Sequence, residues 1–381
     1  MGMGEIVWAA ATAHTGAMMR TPKGDPDDLA RADRVFQAFA ALSASLRAAR
    51  PDVLVVVATD HFLTFDQAAL PVFAIGTGTA FPGHGEFGVP KRDYTGVAGL
   101  GEAVHAGMVA AGFDAAGARG LPLDHSFSCP LQLLLDGWDV PVLPVYVNCT
   151  IEPLPRLDRC LDFGRALGEV LRMQELAPRV AVLGTGGLSH WVGMPETGHI
   201  NRDFDRRFLE GFAAGRFDEI AGWDAAEVVR SAGNGAAEIR NWLLAAGAAR
   251  ATGARVAAYE PVQAWVTGIG VTELLLPPGN ARAAAPGHAS AAGRDRHALE
   301  RYLFRFDKEQ ALQEALKADA AGAFDGHALD DEERRVLRER DLATLYEWGV
   351  HPLLIRNFAG TLGLRYVQAY HDRGLVPRHG N

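Results

Sequence analysis

Val53-Leu54-Val55-Val56-Val57-Ala58-Thr59-Asp60-His61 is an uncharged, β-branched run that stops on an acid and an imidazole. Such a run reads as a strand covered on both faces, the kind found in the parallel sheet of an α/β protein. Ile6 to Ala11 repeats the pattern and leads into Ala13-His14-Thr15-Gly16. Buried strands of these sheets deliver their C-terminal ends to a crevice where ligands bind. His14 and His61 are therefore two candidate ligands for one metal. Glu238, in Gly233-Asn234-Gly235-Ala236-Ala237-Glu238, is a third. Two histidines and a carboxylate with open positions suit mononuclear Fe(II). Each residue alone also fits a plainer role, as a hydrogen-bonded structural histidine or a solvated helical glutamate.

Outward from these strands, helix and strand signals alternate. Asp25-Pro26-Asp27 opens a helix carrying Leu29, Phe36, Phe39 and Leu46, and Arg50-Pro51-Asp52 closes it. Residues 66–98, rich in Gly and Pro and including Phe81-Pro82-Gly83-His84-Gly85, read as a long loop of the kind that walls or covers a pocket. Within it His84 is a candidate pocket residue, with loop exposure to solvent the favoured expectation. Further strands are expected at Pro141 to Val147, Val180 to Leu183, Val256 to Tyr259 and Trp265 to Leu275, with a helix between Leu161 and Met173. Residues 1–280 thus form an α/β domain whose largely buried central sheet is flanked by helices. Residues 281–296, mostly Ala, Gly and Arg, read as a linker. Residues 297–381 are expected to be a small all-α domain. One of its helices opens on Asp330-Asp331-Glu332-Glu333, with Leu342, Leu345 and Tyr346 on one face of the continuation. Another starts at His351-Pro352 and carries Leu353, Leu354, Phe358 and Leu362.

Composition narrows the function classes. The 381 residues are 48% hydrophobic, ample for a large core, and the formal charge of −9 argues against nucleic acid. An anionic substrate would need local cations; Arg20, Lys91 and Arg92 lie near the relevant segments, though ordinary surface placement also accounts for each. Cys129, Cys149 and Cys160 form no CxxC pair and fit a reducing cytoplasm. The N-terminus has no leader pattern, and no run reaches the roughly 18 apolar residues of a membrane span. A soluble, cytoplasmic protein is expected.

The chain resembles the class III extradiol dioxygenases, among them the β subunit of protocatechuate 4,5-dioxygenase. The matching stretches are Ala13-His14-Thr15-Gly16, Thr59-Asp60-His61-Phe62, Leu123-Asp124-His125-Ser126, Gly186-Gly187-Leu188-Ser189-His190-Trp191, the lead-in to Glu238, and Gln263-Ala264-Trp265-Val266-Thr267-Gly268. Carried over position by position, the resemblance implies His14, His61 and Glu238 as iron ligands, His190 as active-site base and His125 as a second pocket histidine. It implies Fe(II) as cofactor, with O2 and a small aromatic diol or triol as reactants. The tail, through Glu339-Arg340-Asp341-Leu342-Ala343-Thr344-Leu345 and Trp348-Gly349-Val350-His351-Pro352, is similar to the helical α subunit of protocatechuate 4,5-dioxygenase. Such a fusion resembles gallate dioxygenase. It implies a lid domain, a gallate- or protocatechuate-like substrate and a homodimer.

Other readings stay open at this level. Another catechol or an aminophenol would suit the same residues, and zinc accepts two His and one Glu with a water, as in a hydrolase. A non-catalytic relative should have lost ligands that this chain keeps. Nucleotide binding is disfavoured, since Gly184-Thr185-Gly186-Gly187 and Gly233-Asn234-Gly235 complete neither GxGxxG nor GxxxxGK[ST]. Asp60 and Asp124, each preceding a candidate histidine, would either orient it or cap a turn.

Overall fold

The computed structural model describes residues 4–20, 25–278, 296–320 and 322–375. The chain divides into two compact units, Met1–Ser290 and Ala291–Asn381. Most of the linker expected at 281–296 lies outside the described residues.

The first unit is built on ten strands: β1 Glu5–Thr12, β2 Val53–Ala58, β3 Phe73–Gly76, β4 Ala80–Pro82, β5 Asp93–Thr95, β6 Ala116–Ala118, β7 Val142–Val147, β8 Arg179–Thr185, β9 Gly253–Val262 and β10 Thr267–Leu275. Eight of them form one sheet in the order β6-β3-β7-β2-β8-β1-β10-β9, and β4 pairs with β5 apart from it. The central strands β7, β2, β8 and β1 run parallel, and β10 and β9 extend the sheet antiparallel beyond β1. Every residue of β2 is buried. Val53, Val55 and Val57 face one apolar core, whereas Leu54, Val56 and Ala58 face the other. This two-sided burial is why the strand carries no polar alternation.

Helices Leu157–Met173 and Ile239–Ala249 cover the first face, and Pro26–Ala49 and His125–Leu135 cover the second. Leu157–Met173 and Ile239–Ala249 touch backbone to backbone: a Cβ on Gly164 would sit 2.1 Å from the Leu244 carbonyl oxygen. Helix Ile239–Ala249 is buried throughout and grips the end of β8, with Asn241 Nδ2 donating to Thr185 O (2.7 Å) and Trp242 Nε1 to Gly186 O (2.9 Å).

Three sequence expectations need correction here. Residues 66–98 are not one loop, because β3 sits inside the main sheet and β4 and β5 make their own ribbon. Leu29 is exposed on its helix, whereas Phe39 and Leu46 are in the core. His84 is partly buried, and its Nε2 is enclosed without a hydrogen-bond partner among the described residues.

The second unit is all helical, from His297–Lys308 to Tyr366–Asp372. Its own core gathers Leu299, Tyr302, Leu303, Phe306, Leu345 and Phe358. Asp330 caps helix Asp331–Glu339 through a reciprocal box with Glu333, a device that stabilises such a helix by about 1 kcal/mol. The helix expected from His351-Pro352 is Pro352–Thr361, capped by His351, but Tyr346 and Leu353 point to solvent rather than into the core. No described helix is long and apolar enough to cross a membrane. All three cysteines are buried and free.

Candidate metal centre and active site

Three parallel strands end side by side, and each hands over one motif. β1 runs into His14, β2 into His61, and β8, lying between them, into Gly186 to His190. The strand ends are held level by the Gly186 N–H donating to Thr12 O at 3.0 Å. Glu238 arrives from the other side, at the end of the 3-10 turn Asn234–Glu238 that opens the buried helix. His14 Nε2 and His61 Nε2 lie 3.8 and 3.2 Å from the same oxygen, Glu238 Oε1. Ligands at right angles on a metal with bonds of about 2.1 Å are about 3 Å apart, so the three atoms can share one ion. Glu238 Oε2 is taken by the Gly187 N–H, which leaves Oε1 as the free donor.

The surroundings tune these donors. The Asp124 carboxylate accepts both the His61 backbone N–H and its Nδ1–H at 2.9 Å, fixing Nε2 as the ring's lone-pair nitrogen. The same carboxylate caps helix His125–Leu135 through the Ser126 N–H. Asp60 turns away and instead accepts from Leu63, Thr64 and Phe65 N–H groups, a turn cap. Burial pushes the His14 pKa down to about 3, so this imidazole is neutral and ready to ligate. Burial also opposes charge on His61, but hydrogen bonds and charge from Asp124 and Glu238 outweigh it and raise its pKa well above the ordinary value. For Glu238 burial is likewise outweighed, here by His14 and His61, and its pKa falls to about 2. Two buried carboxylates therefore favour a positive charge between the imidazoles, the place a divalent cation would fill. The donor set fits a metal.

His125 joins the group: one nitrogen from each of His14, His61 and His125 lies within 4.8 Å of the others. Its ring stacks on His61 with centroids 4.2 Å apart. His190 lies outside this trio. Its ring rests on Gly187 and Gly235, where a Cβ at either position would come within 2.1 Å of it. Its Nδ1 meets Leu188 O at 3.0 Å. A carbonyl only accepts, so Nδ1 carries the proton and Nε2 keeps its lone pair.

Residues 8–270 match the family of the catalytic LigB subunit of aromatic ring-opening dioxygenase. The chain belongs to this family. Residues 299–373 match the LigA subunit of the aromatic-ring-opening dioxygenase LigAB. A 2,3-dihydroxyphenylpropionate/2,3-dihydroxicinnamic acid 1,2-dioxygenase of Klebsiella pneumoniae subsp. pneumoniae is 30% identical over 269 residues, covering 58% of this chain and 84% of that protein. Proteins of the same description from Pseudomonas putida and Escherichia coli SMS-3-5 are each 29% identical, covering 62% of this chain and 89% and 90% of their own. The chain is thus an extradiol ring-cleaving dioxygenase of the LigB family, an oxidoreductase that uses O2 and an aromatic diol at a metal.

Two residues beside His125 escaped the sequence reading. Glu86 accepts the His125 backbone N–H at 2.8 Å and lies 3.3 Å from its Nδ1. Phe87 sets its ring edge-on to His125, with centroids 4.9 Å apart. Its ring lies on Gly16, where a Cβ would come within 2.3 Å of it, so the glycine of Ala13-His14-Thr15-Gly16 has a packing reason. The candidate cations also sort themselves. Arg92 is engaged by Asp139 and lies over Tyr94, whereas the exposed Arg20 lies 5.3 Å over Phe87 and has no ion pair among the described residues.

Proposed function

We propose that this protein is an Fe(II)-dependent extradiol dioxygenase for a catechol-type aromatic acid, with His14, His61 and Glu238 as ligands, His190 as base and His125 as its helper. The observation that carries the reading is the convergence of two imidazole Nε2 atoms on one buried carboxylate oxygen. When bound, Fe(II) would supply the electronic coupling that lets a singlet aromatic diol react with triplet O2. The protein supplies the rest. His190 Nε2, unprotonated and held by Leu188 O, accepts a phenolic proton and later returns it during ring opening. His125, with Nδ1 turned to Glu86, presents Nε2 toward the reacting partners. Phe87 offers an aromatic wall, and Gly187 and Gly235 leave room for the His190 ring to be held close.

Arg20 supports an acid substrate, because it and His125 share the Phe87 ring as a neighbour, with the guanidinium carbon 5.3 Å and the imidazole centroid 4.9 Å from its centre. The 2,3-dihydroxyphenylpropionate in the relatives' names carries such a carboxylate, as do the gallate and protocatechuate that the helical tail suggests. Anaerobic Fe(II) reconstitution followed by a panel of these acids and unsubstituted catechol, read by oxygen uptake, tests the assignment. Oxygen uptake with zinc or none with iron would defeat it. Arg20→Gln is expected to raise KM for the preferred acid about 10-fold or more, the worth of a charge-assisted hydrogen bond, and to leave catechol unaffected. Equal losses on both substrates would remove Arg20 from substrate recognition.

Residues from about 297 onward are proposed as a lid, acting within a homodimer. Their deletion is expected to raise KM or abolish oxygen uptake while the first unit stays folded on its own core. Unchanged kinetics in the truncated protein would make the tail an appendage.

A further inference from the structure

Asp205 is a fully buried carboxylate outside the metal centre, on helix Arg202–Ala213. The same helix puts Phe204, Phe208 and Leu209 into the core, so an apolar residue would have been the undemanding choice. Instead the carboxylate collects three donors. Oδ1 accepts the Ser189 N–H, and Oδ2 accepts both the Ser189 hydroxyl and the Tyr259 hydroxyl, all at 2.8 Å. Gly268 makes the space, since a Cβ there would lie 2.1 Å from Asp205 Oδ2. A buried carboxylate is costly unless its lone pairs are satisfied, and this one is satisfied chiefly by a single residue.

That residue precedes His190. Ser189 is pinned at every polar atom: its hydroxyl also accepts the Asn201 N–H at 2.8 Å, and its carbonyl accepts the Gly268 N–H at 3.1 Å. His190 then has little freedom of its own. Its N–H donates to Ala232 O at 2.9 Å, and its Nδ1–H to Leu188 O, the carbonyl on the other side of Ser189. The direction of Nε2 is therefore set by the backbone of 188–190, and that backbone is fastened from behind by Asp205.

We propose that Asp205 is a positioning residue for His190, acting through Ser189, with Tyr259 holding the carboxylate in place. The inference rests on the reading of His190 as the base. Misplacing a catalytic group by about 1 Å can cost on the order of 10²-fold in rate. In the full-length, iron-reconstituted enzyme, Asp205→Asn should lower kcat about 10- to 100-fold, with KM and iron content within about 2-fold of wild type. Tyr259→Phe removes one hydrogen bond from a half-buried position and should lower kcat about 5-fold, the worth of one net bond. It carries the test if Asp205→Asn does not fold.

The decisive measurement is a double-mutant cycle. If Asp205 acts through His190, then Asp205→Asn or Tyr259→Phe made in a His190→Ala background should cause no further loss of kcat. Losses that multiply in that background, or full kcat in both single variants, would overturn the inference. A His190→Ala protein with full rate would instead overturn the base assignment itself. The two failures are distinguishable.

Discussion

Glu238→Ala is expected to lose its metal and its turnover together while keeping its fold. The residue is 3% exposed, and among the described residues it forms no ion pair with lysine or arginine. Its partners are the His14 and His61 nitrogens and the Gly187 N–H. In the apo protein His61 keeps its Asp124 partner at 2.9 Å when Glu238 is removed, so the substitution does not by itself leave a buried charge unpaired. Iron should raise the melting temperature of the wild type, because a ligand that binds only the folded state stabilises it by mass action. In Glu238→Ala that rise should vanish, and metal analysis after anaerobic reconstitution should find little iron. The alternative is a three-histidine site, since His125 lies as close to His14 and His61 as a ligand would. A wild-type iron content in Glu238→Ala, with loss of iron in His125→Ala, would select that alternative.

How much of this was legible beforehand follows from range of interaction. The strands that carry His14 and His61 announce themselves because both faces are buried, and β2 falls on Val53–Ala58 as read. The helix caps at Asp25, Asp330 and His351 are local and equally legible. β3 was hidden because it has only four residues, Phe73–Gly76, between turn-forming segments. Tyr346 and Leu353 keep helical spacing with buried neighbours, yet lie at the edge of their stripes and are 45% and 55% exposed. The roles of Asp60 and Asp124 could not be separated in sequence, since each simply precedes a histidine. Only folding shows that Asp124 reaches back 63 positions to His61 whereas Asp60 caps its own turn. Asp205 looks like any acid in the first turn of a helix. Its partners Ser189 and Tyr259 are 16 and 54 residues away, and no local signal connects them.

His190→Ala is expected to separate metal binding from proton transfer. The ring is not among the nitrogens that converge on Glu238 Oε1, so iron should stay bound at wild-type stoichiometry. Its Nε2 is the unprotonated nitrogen, because Nδ1 is committed to Leu188 O. A general acid–base group contributes about 10²- to 10⁴-fold, which sets the expected loss in steady-state rate for both His190→Ala and His190→Phe. His125→Ala should also keep its iron if Glu238 is the third ligand, but with a different signature. A residue that steers bound oxygen leaves, when removed, a fraction of turnovers ending in peroxide. Oxygen uptake should then exceed ring cleavage in His125→Ala and match it in His190→Ala. Loss of iron from His190→Ala would make His190 a ligand and displace one of the three assigned here. Retention of both iron and full rate would move the base to His125, whose Nδ1 faces Glu86 and whose Nε2 is left for the same work.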